Sequence, residues 1–341
     1  MPRPERTSGA SAAHAEPAVA TALRDAILAW YEERGRPLAF RRTADPYAIL
    51  VAEAMAQQTQ AARAAAYWER FIARFPTADD LAAASPADVL REWAGLGYDR
   101  RAVALWRAAR IIVARHGGRV PSSVDELQAL PGVGPYTARA VAALAYGVPV
   151  GAVDVNVRRV LGRIVGGSAG IVPAADLQMI ADAAVPAERP AAWTHAVMDL
   201  GATLCKPRSP HCGDCPAARW CRFAIEAADT TTRVSDAAAA RGADAHPADA
   251  HPADARSAAP RAPRIVRERR APFATTNRWL RGRILDRLRA VEDGRWVDLD
   301  GEIGVHDHAR VLLAVQALSG DGLVEVEPRA DGIVRARLPL S

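Results

Sequence analysis

Apolar residues recur at helical spacing through the first two thirds of the chain. Near the start they occupy positions i, i+3, i+4, i+7 and i+8 of one helix face: Leu23, Ala26, Ile27, Trp30 and Tyr31. The same spacing predicts later helices at about 46–60, 62–75, 86–93, 99–116, 123–130, 135–146, 155–165, 174–185 and 189–203. Because no segment in this region alternates in the manner of a strand, the pattern predicts an all-α domain over residues 19–228.

Two segments outside this domain lack such a pattern. Residues 1–18 are polar and rich in alanine, and we expect them to be disordered. Residues 229–265 contain the repeat ADAHPADAHPADA, which would bury almost no apolar surface. We interpret 229–265 as a disordered linker. Its histidines could suggest metal binding, but a solvated tether is the favoured interpretation.

The pattern changes again near the end of the sequence. An amphipathic basic helix is predicted from Arg278 to Val291, and a second helix at about 307–319. Alternating segments at 323–327 and 333–337 then predict a β-hairpin. Helix, helix and two-stranded wing is the order of a winged helix, so 266–341 is predicted to be a small winged-helix-like α+β module. A small α+β protein-interaction domain is equally compatible with the pattern.

Composition excludes several classes of protein. Half of the residues are hydrophobic, which is enough for a core. The net charge is +5, from 44 basic and 39 acidic residues, but Lys206 is the one lysine. Guanidinium groups bind phosphate well and do not act as amine nucleophiles, so a lysine-based enzyme is disfavoured.

The longest apolar run, Ala140 to Val153, is too short for a bilayer, and the first residues lack a signal-peptide core. We expect a cytoplasmic protein that does not bind membranes.

All four cysteines lie within 17 residues, at Cys205, Cys212, Cys215 and Cys221. The spacing Cys-x6-Cys-x2-Cys-x5-Cys allows one metal centre in the loop 205–221. Disulfides would need an oxidising compartment, to which nothing in the sequence points. A zinc site usually shows two close Cys-x2-Cys pairs, whereas iron–sulfur ligands have variable spacing. Spacing alone leaves zinc and an iron–sulfur cluster equally favoured.

A compact glycine turn lies between two predicted helices, in the sequence LPGVGPYTARAVAALAYG from Leu130 to Gly147. Gly132 and Gly134 allow backbone N–H groups to point at one spot, and Pro135 suits the first turn of the following helix. A helix N-terminus of this kind binds an anion such as a DNA phosphate without sequence preference. A plain helix–helix turn is the alternative.

Two carboxylates and one tyrosine are further candidates. Glu53, in YAILVAEAMAQQTQ, suits a general acid if it is buried, but a solvent-edge glutamate is favoured without other information. Asp154 precedes a helix and is predicted to be its N-cap, a position compatible with catalysis. Tyr98, in AGLGYDRRA, is followed by Arg100 and Arg101. It suits a wedge that enters the DNA stack, or a core position.

Taken together, these motifs resemble a known family over about residues 19–225. The hairpin LPGVGPYTA, the aspartate some twenty residues later and the cysteine spacing are similar to the helix–hairpin–helix DNA glycosylases of the endonuclease III superfamily. The resemblance implies a mainly α, helix–hairpin–helix fold with a 4Fe–4S cluster at the four cysteines. EAMAQQTQ and GLGY resemble the adenine DNA glycosylase (MutY) branch. Tyr136 occupies the position where bifunctional lyases carry a lysine.

The resemblance implies a specific reaction. A monofunctional hydrolase would remove adenine mispaired with 8-oxoguanine or guanine from duplex DNA and so initiate base excision repair. The adenine is flipped out of the stack and Glu53 protonates it at N7. Asp154 stabilises the developing oxocarbenium ion, or captures it briefly before water attacks. Tyr136 and Asn156 fall where the family has residues that support this site.

The resemblance also implies a set of positions that contact substrate or DNA: Arg36, Phe40, Gln57, Gln58, Thr59, Leu96, Tyr98, Gly132, Gly134 and His195. Phe40 stands where the family commonly has tryptophan, and His195 where glutamate or glutamine is common. Many members carry a Nudix-like domain that reads 8-oxoguanine, but 266–341 is too short for that fold. We therefore expect the catalytic domain to recognise most of the oxidised base.

Two other functions remain open at the level of sequence. One is a thymine or uracil mismatch glycosylase of the same superfamily, against which QQTQ and GLGY argue. The other is a non-catalytic iron–sulfur DNA-binding regulator, against which the retention of Glu53 and Asp154 argues. In each case the expected partner is duplex DNA, and a monomer is the expected state.

Overall fold

The computed structural model describes residues 17–230, 272–328 and 334–341. The predicted disorder of 1–16, most of the predicted linker and the turn at 329–332 lie outside these residues. The helices are α1 (Pro17–Arg34), α2 (Pro46–Ala56), α3 (Ala61–Arg74), α4 (Ala78–Ala83), α5 (Pro86–Glu92), α6 (Arg100–His116), α7 (Val124–Gln128), α8 (Pro135–Tyr146), α9 (Val155–Gly166), α10 (Ala174–Ala184), α11 (Pro190–Thr203), α12 (Asn277–Arg289) and α13 (His308–Gly320). Residues 222–230 are also helical. Short 3₁₀ turns lie at Ala39–Arg42, Cys212–Asp214, Ala218–Trp220 and Phe273–Thr275.

The chain divides into two compact units. Unit 1 comprises residues 1–37 and 139–234, and unit 2 comprises residues 38–138 and 235–341. The division falls within α8. No helix in the described part of the chain is both long enough and apolar enough to cross a membrane.

Unit 1 is a helical body built around one apolar core. Helix α1 packs against α11, and α9 packs against both α10 and α11. The core side chains come from these four helices and include Ile27, Leu28, Val160, Leu161, Leu177, Trp193 and Leu200. The Arg24 guanidinium donates to the carbonyl of Ala184 at 2.9 Å, which fastens α1 to the end of α10. Burial of this set supplies the main stabilisation of the unit.

The helices of unit 2 before α8 surround an aromatic core. Phe71 meets Phe75 and Trp93 edge-on, with ring centroids 5.0 and 5.9 Å apart, and all three side chains are fully buried. Edge-on packing suits the quadrupoles of the rings. Helix α2 packs against α3 and α6, and α4 packs against α6. The buried hydroxyl of Tyr47 donates to the carbonyl of Phe75 at 3.0 Å, so α2 is tied to this core.

The C-terminal part of unit 2 is a small α+β layer. Helices α12 and α13 pack together beside three antiparallel strands in the order β1 (Val297–Asp298), β3 (Val334–Arg337), β2 (Glu325–Pro328). The pair β2–β3 is the predicted hairpin, and Arg–Glu ion pairs join its facing positions. The amide of Ala87 donates to the carbonyl of Pro339 at 3.0 Å, so the segment packs directly on α5.

The mainly helical prediction is confirmed, with differences at short elements. Each predicted helix is present, but α1 begins at Pro17 rather than at Val19. The periodicity missed α4, the two-residue strand β1 and the helical residues 222–230, of which 229 and 230 fall in the predicted linker. The first two are too short to produce a repeating apolar pattern. The predicted domain boundaries stay predictions, although the C-terminal segment clusters with residues 38–138 in one unit.

Candidate active site and nucleic-acid interface

Glu53 is buried on a helix that is apolar nearly all round. Asp45 caps α2 by accepting from the amides of Tyr47 and Ala48, and Pro46 occupies its first turn. Every residue from Tyr47 to Met55 is buried, and Glu53 is 8% exposed. The interpretation of Glu53 as a solvent-edge residue is therefore wrong. A buried carboxyl on an apolar helix suits a general acid.

The C-terminal end of α2 is bonded to the glycine hairpin. The side-chain amide of Gln57 donates to the carbonyl of Gly132 at 3.3 Å and to the hydroxyl of Thr137 at 3.2 Å. Gln58, the next residue, has a φ of +54°, and the hydroxyl of Thr59 donates back to the carbonyl of Gln57 at 3.3 Å. The sequence QQT thus connects the helix of Glu53 to the hairpin.

The hairpin forms a tight turn between α7 and α8. The amide of Val133 donates to the carbonyl of Leu130 at 3.1 Å, and Gly132 has a φ of +77°. Gly132, Gly134 and the first residue of α8 are exposed, whereas Tyr136 is half-buried. Exposed glycines at the start of a helix leave backbone N–H groups available to an anion. The predicted phosphate-binding geometry of the turn is therefore available at the surface.

Tyr98 lies in a strained loop and is exposed. Its φ is +53° and its side chain is 39% exposed, whereas Leu96 is 5% exposed. In the described residues, Gln58 and Tyr98 are the non-glycine positions with positive φ. Such a backbone costs free energy and persists only where surrounding contacts impose it. Both positions belong to the set that the family resemblance assigned to substrate contact.

Arg101 holds the loop of Tyr98 against the end of α2. One guanidinium nitrogen, Nη1, donates to the carbonyls of Ala54 and Met55 at 3.0 and 2.9 Å. The other, Nη2, donates to the carbonyl of Gly97 at 2.8 Å. Burial lowers the pKa of Arg101 to about 10, so the group stays charged at neutral pH. The donors of Arg101 are therefore used within the protein, while the neighbouring Arg100 is exposed.

Asp154 is the N-cap of α9, as predicted. One carboxylate oxygen accepts from the amides of Asn156 and Val157 at 2.9 and 2.7 Å. The other accepts from the side-chain amide of Asn156 at 2.8 Å. Arg159 donates to the side-chain oxygen of Asn156 at 2.8 Å, which fixes the orientation of that amide. Three hydrogen bonds thus set the direction of a half-buried carboxylate.

Three other residues that were predicted to contact substrate or DNA are held by side chains of the protein itself. Arg36 donates from its amide and its guanidinium to Asp199, at 2.8 and 2.6 Å, and Asp199 is fully buried. His195 stacks on Tyr31 with centroids 6.3 Å apart. In unit 2, Phe40 meets the ring of Trp68 edge-on at 6.4 Å. Glu53 and Phe40 belong to unit 2, whereas Asp154, Asn156, Arg36 and His195 belong to unit 1.

The four cysteines line a single pocket in unit 1. Arg163 donates to the sulfur of Cys205 at 3.3 Å and to the carbonyls of Lys206 and Pro207 at 2.8 and 2.9 Å. The thiol of Cys221 donates to the carbonyl of Arg163 at 3.6 Å. All four cysteines are free thiols, which excludes disulfides among them in this structure.

Burial disfavours the thiolate form of three of these cysteines. In the parts of the chain that the structure describes, no three His, Cys, Asp or Glu side chains are grouped so as to hold a single metal ion. Burial raises the pKa of the Cys215 thiol to about 11 and also raises the pKa of Cys212 and Cys221, with the neighbouring thiols adding to each effect. A positively charged centre would offset that cost, because it binds thiolates.

Sequence reasoning missed three residues that support these sites. Asp199 and Arg159 make contacts more than forty positions away along the chain, with Arg36 and with the carbonyl of Cys205 at 2.6 Å. Arg163 likewise reaches the cysteine loop. A charged residue in an otherwise apolar helix, such as Asp199 in HAVMDLGA, was the available signal.

Comparison with known proteins identifies the class. Residues 51–173 match the family described as HhH-GPD superfamily base excision DNA repair protein. Among solved structures, a thermostable thymine-DNA glycosylase is similar with a TM-score of 0.58 and 29% identity, covering 61% of this chain and 98% of that one. A non-covalent endonuclease III–DNA complex is similar with a TM-score of 0.52 and 26% identity, covering 60% and 95%. The fold is that of the helix–hairpin–helix base excision repair proteins.

One relative narrows the class further. The adenine DNA glycosylase of Mycolicibacterium smegmatis is 39% identical over 312 residues, which cover 90% of this chain and 93% of the relative. The chain belongs to the adenine DNA glycosylase family and is a DNA glycosylase of base excision repair. The hypothesis of a non-catalytic regulator is therefore not retained.

Proposed function

We propose that this enzyme hydrolyses the bond between adenine and deoxyribose where adenine is paired with 8-oxoguanine or guanine in duplex DNA. The observation that carries the proposal is the burial of Glu53 in the apolar helix α2, directly before the QQT sequence. This pairing of a buried acid with a substrate-contacting loop suits protonation of a flipped base. The similarity to adenine DNA glycosylases supports adenine as that base.

Glu53 acts as the general acid. It donates its proton to N7 of the flipped adenine, which makes the base a better leaving group. The bond between N9 and C1′ then breaks, and its electron pair stays with the departing adenine. The sugar is left with the character of an oxocarbenium ion, which needs a negative charge nearby.

Asp154 supplies that charge. Its carboxylate is held in one direction by Asn156 and Val157, so it needs no rearrangement when the cation develops. Water adds at C1′, loses a proton to the Glu53 carboxylate and gives an abasic site, either directly or after brief capture of the sugar by Asp154. The position after Gly134 and Pro135 is Tyr136, and the one lysine lies in the cysteine loop, which supports hydrolysis rather than a Schiff base.

The glycine hairpin and its neighbours hold the DNA. The exposed amides at Gly132 and Gly134 bind backbone phosphate at the N-terminus of α8. Gln58, Thr59 and Tyr98 meet the base opposite adenine, with the Tyr98 ring entering the stack. The family resemblance supports a contact of His195, and separately of Phe40, with the base.

Cys205, Cys212, Cys215 and Cys221 would hold a 4Fe–4S cluster. The pocket that they share and the free state of all four thiols support this proposal. When bound, the cluster supplies a four-point cross-link that fixes the loop 205–221. Purified protein should be brown, with a broad visible absorption band and about four irons per chain. A colourless preparation that contains zinc alone would contradict the cluster.

We propose a monomer in the reducing cytoplasm, where the four cysteines form no disulfides and are available to a cluster. Size-exclusion chromatography with light scattering would test the monomer.

The decisive experiment is a panel of mismatches. Single-turnover base release is measured on duplexes that contain A:8-oxoguanine, A:G, T:G and U:G. We expect release from the first two alone. Release from T:G or U:G without release of adenine would overturn the proposal and favour the mismatch thymine or uracil glycosylase, a class to which one similar structure belongs.

Glu53→Gln should retain duplex binding and lose adenine release, because glutamine keeps the shape of the side chain but has no acidic proton. Glu69→Gln, an exposed glutamate on α3, is the matched control and should keep full activity. Full activity in Glu53→Gln would contradict the assigned acid.

A further inference from the structure

The C-terminal segment contacts Tyr98, the residue that enters the DNA stack under the proposed function. Tyr98 belongs to the loop before α6, and Arg278 lies in the first turn of α12, 180 positions later. Nη1 of Arg278 donates to the hydroxyl of Tyr98 at 3.0 Å, and its guanidinium carbon lies 4.2 Å from the centroid of the ring. The contact combines a charge-assisted hydrogen bond with a cation–π interaction. It therefore restrains both the hydroxyl and the plane of the ring.

The backbone of Tyr98 needs such support. Tyr98 has a φ of +53°, and Gly95 and Gly97 on its N-terminal side have φ of +88° and +78°. A tyrosine in this region of φ costs free energy, which surrounding contacts must offset. The ring is nevertheless 39% exposed, so packing in a core does not hold it.

A second arginine of α12 holds the neighbouring residue. The side chain of Arg289, which is 10% exposed, bonds the carboxylate of Asp99 and donates to the carbonyl of Leu90 at 3.0 Å. Arg278 and Arg289 stand at the two ends of α12. Consecutive residues, Tyr98 and Asp99, are thus each bonded to one end of the same helix.

The loop also continues to the helix of the proposed acid. Arg101, whose guanidinium carbon lies 5.5 Å from the centroid of the Tyr98 ring, donates to the carbonyls of Gly97, Ala54 and Met55. A path of direct contacts therefore runs from Arg278 through Tyr98 and Arg101 to the C-terminal end of α2.

The other arginines beside this loop are each paired with a carboxylate. Tyr98 and α12 line an open cleft of about 630 Å³ that also contains Arg100, Arg281 and Arg283. Arg100 and Arg281 are both paired with Asp321, and Arg283 is paired with Asp286. The paired carboxylates reduce the positive charge that a phosphate would meet in the cleft. The distinctive contact on this side of the loop is the one between Arg278 and Tyr98.

We propose that Arg278 is a positioning residue that sets the Tyr98 ring for insertion beside the base opposite adenine. The C-terminal segment would then influence recognition of the opposite base without touching that base. This inference rests on the proposed function, because it needs Tyr98 to enter the DNA stack.

The test is a double-mutant cycle with Arg278→Ala, Tyr98→Ala and the double variant. Single-turnover adenine release is measured on A:8-oxoguanine and A:G duplexes, at saturating and at limiting enzyme. Arg287→Ala, an exposed arginine of the same helix, is the matched control. Arg278→Lys tests whether the compact ammonium group of lysine restores the preference for 8-oxoguanine over guanine. The thermal midpoint of each variant shows whether the variant is folded.

We expect each single variant to lose about tenfold in the preference for 8-oxoguanine over guanine, and the double variant to lose no more than Tyr98→Ala. Arg278→Lys should recover part of the preference, and Arg287→Ala should match the wild type. The slope of log affinity against log salt should be unchanged in Arg278→Ala.

Additive losses, or a salt slope smaller by about one in Arg278→Ala, would show that Arg278 binds a phosphate directly and would overturn the inference. Failure of the wild type to release adenine from either duplex would instead overturn the proposed function. The two failures are therefore distinct.

Discussion

Gly132 and Ala104 approach so closely that a Cβ added to Gly132 would lie 2.8 Å from the Cβ of Ala104. Gly132 also has a φ of +77°, which an L side chain rarely adopts. We predict that Gly132→Ala destabilises the protein by about 2 kcal/mol, because the turn must either shift or remain strained. The fall in thermal midpoint measures the effect.

Gly134→Ala is the matched control in the same turn. A Cβ at Gly134 would meet nothing within 4 Å, and the residue does not have a positive φ. Its thermal midpoint should stay close to that of the wild type. Equal midpoints for the two variants would contradict the account of the turn.

The buried carboxylate of Asp199 anchors the segment after α1 through the amide and guanidinium of Arg36. We predict that Asp199→Asn lowers the stability by about 2 kcal/mol, since it replaces two bonds to a charged acceptor with weaker ones. Urea unfolding measures the change. Asp25→Asn, at an exposed position of α1, should cost little, and a similar loss in both variants would refute a specific role for Asp199.

Local pattern predicted most of the fold because long helices repeat their apolar face several times. The periodicity did not predict helix α4, although Thr77 and Asp80 form a capping box at its start. Six residues span less than two helical turns, so the apolar spacing does not repeat. Strand β1 has two residues, and it is a strand because its backbone pairs with that of β3. Elements of this length depend on contacts that are distant in sequence.

Some features of the candidate site could also be predicted from the local sequence, and others could not. The N-cap role of Asp154 was predictable because a cap depends on the next three residues. The burial of Glu53 was not, because a glutamate in an apolar helix can face either core or solvent. The contact between Arg278 and Tyr98 spans 180 positions, and no local pattern encodes a pairing of that length.

Asp154 caps α9 and has a proposed role in catalysis, and one substitution separates the two roles. Serine is a good N-cap, so we predict that Asp154→Ser keeps the thermal midpoint within a few degrees while adenine release falls by at least about 100-fold. Asp154→Ala should lose the same activity and also about 1 kcal/mol of stability. Adenine release at the wild-type rate by Asp154→Ser would remove Asp154 from the mechanism.

Arg163 fastens the cysteine loop from α9. Its guanidinium bonds the sulfur of Cys205 and two loop carbonyls, and it lies over the ring of Phe223 at 4.7 Å. We predict that Arg163→Ala loses visible absorbance several-fold faster than the wild type during incubation with an iron chelator, because hydrogen bonds to ligand sulfurs help to hold a cluster. Arg222→Ala, which removes an exposed arginine paired with Glu226, is the control and should release iron at the wild-type rate. If both variants release iron at one rate, the contact of Arg163 with Cys205 has no part in retaining the cluster.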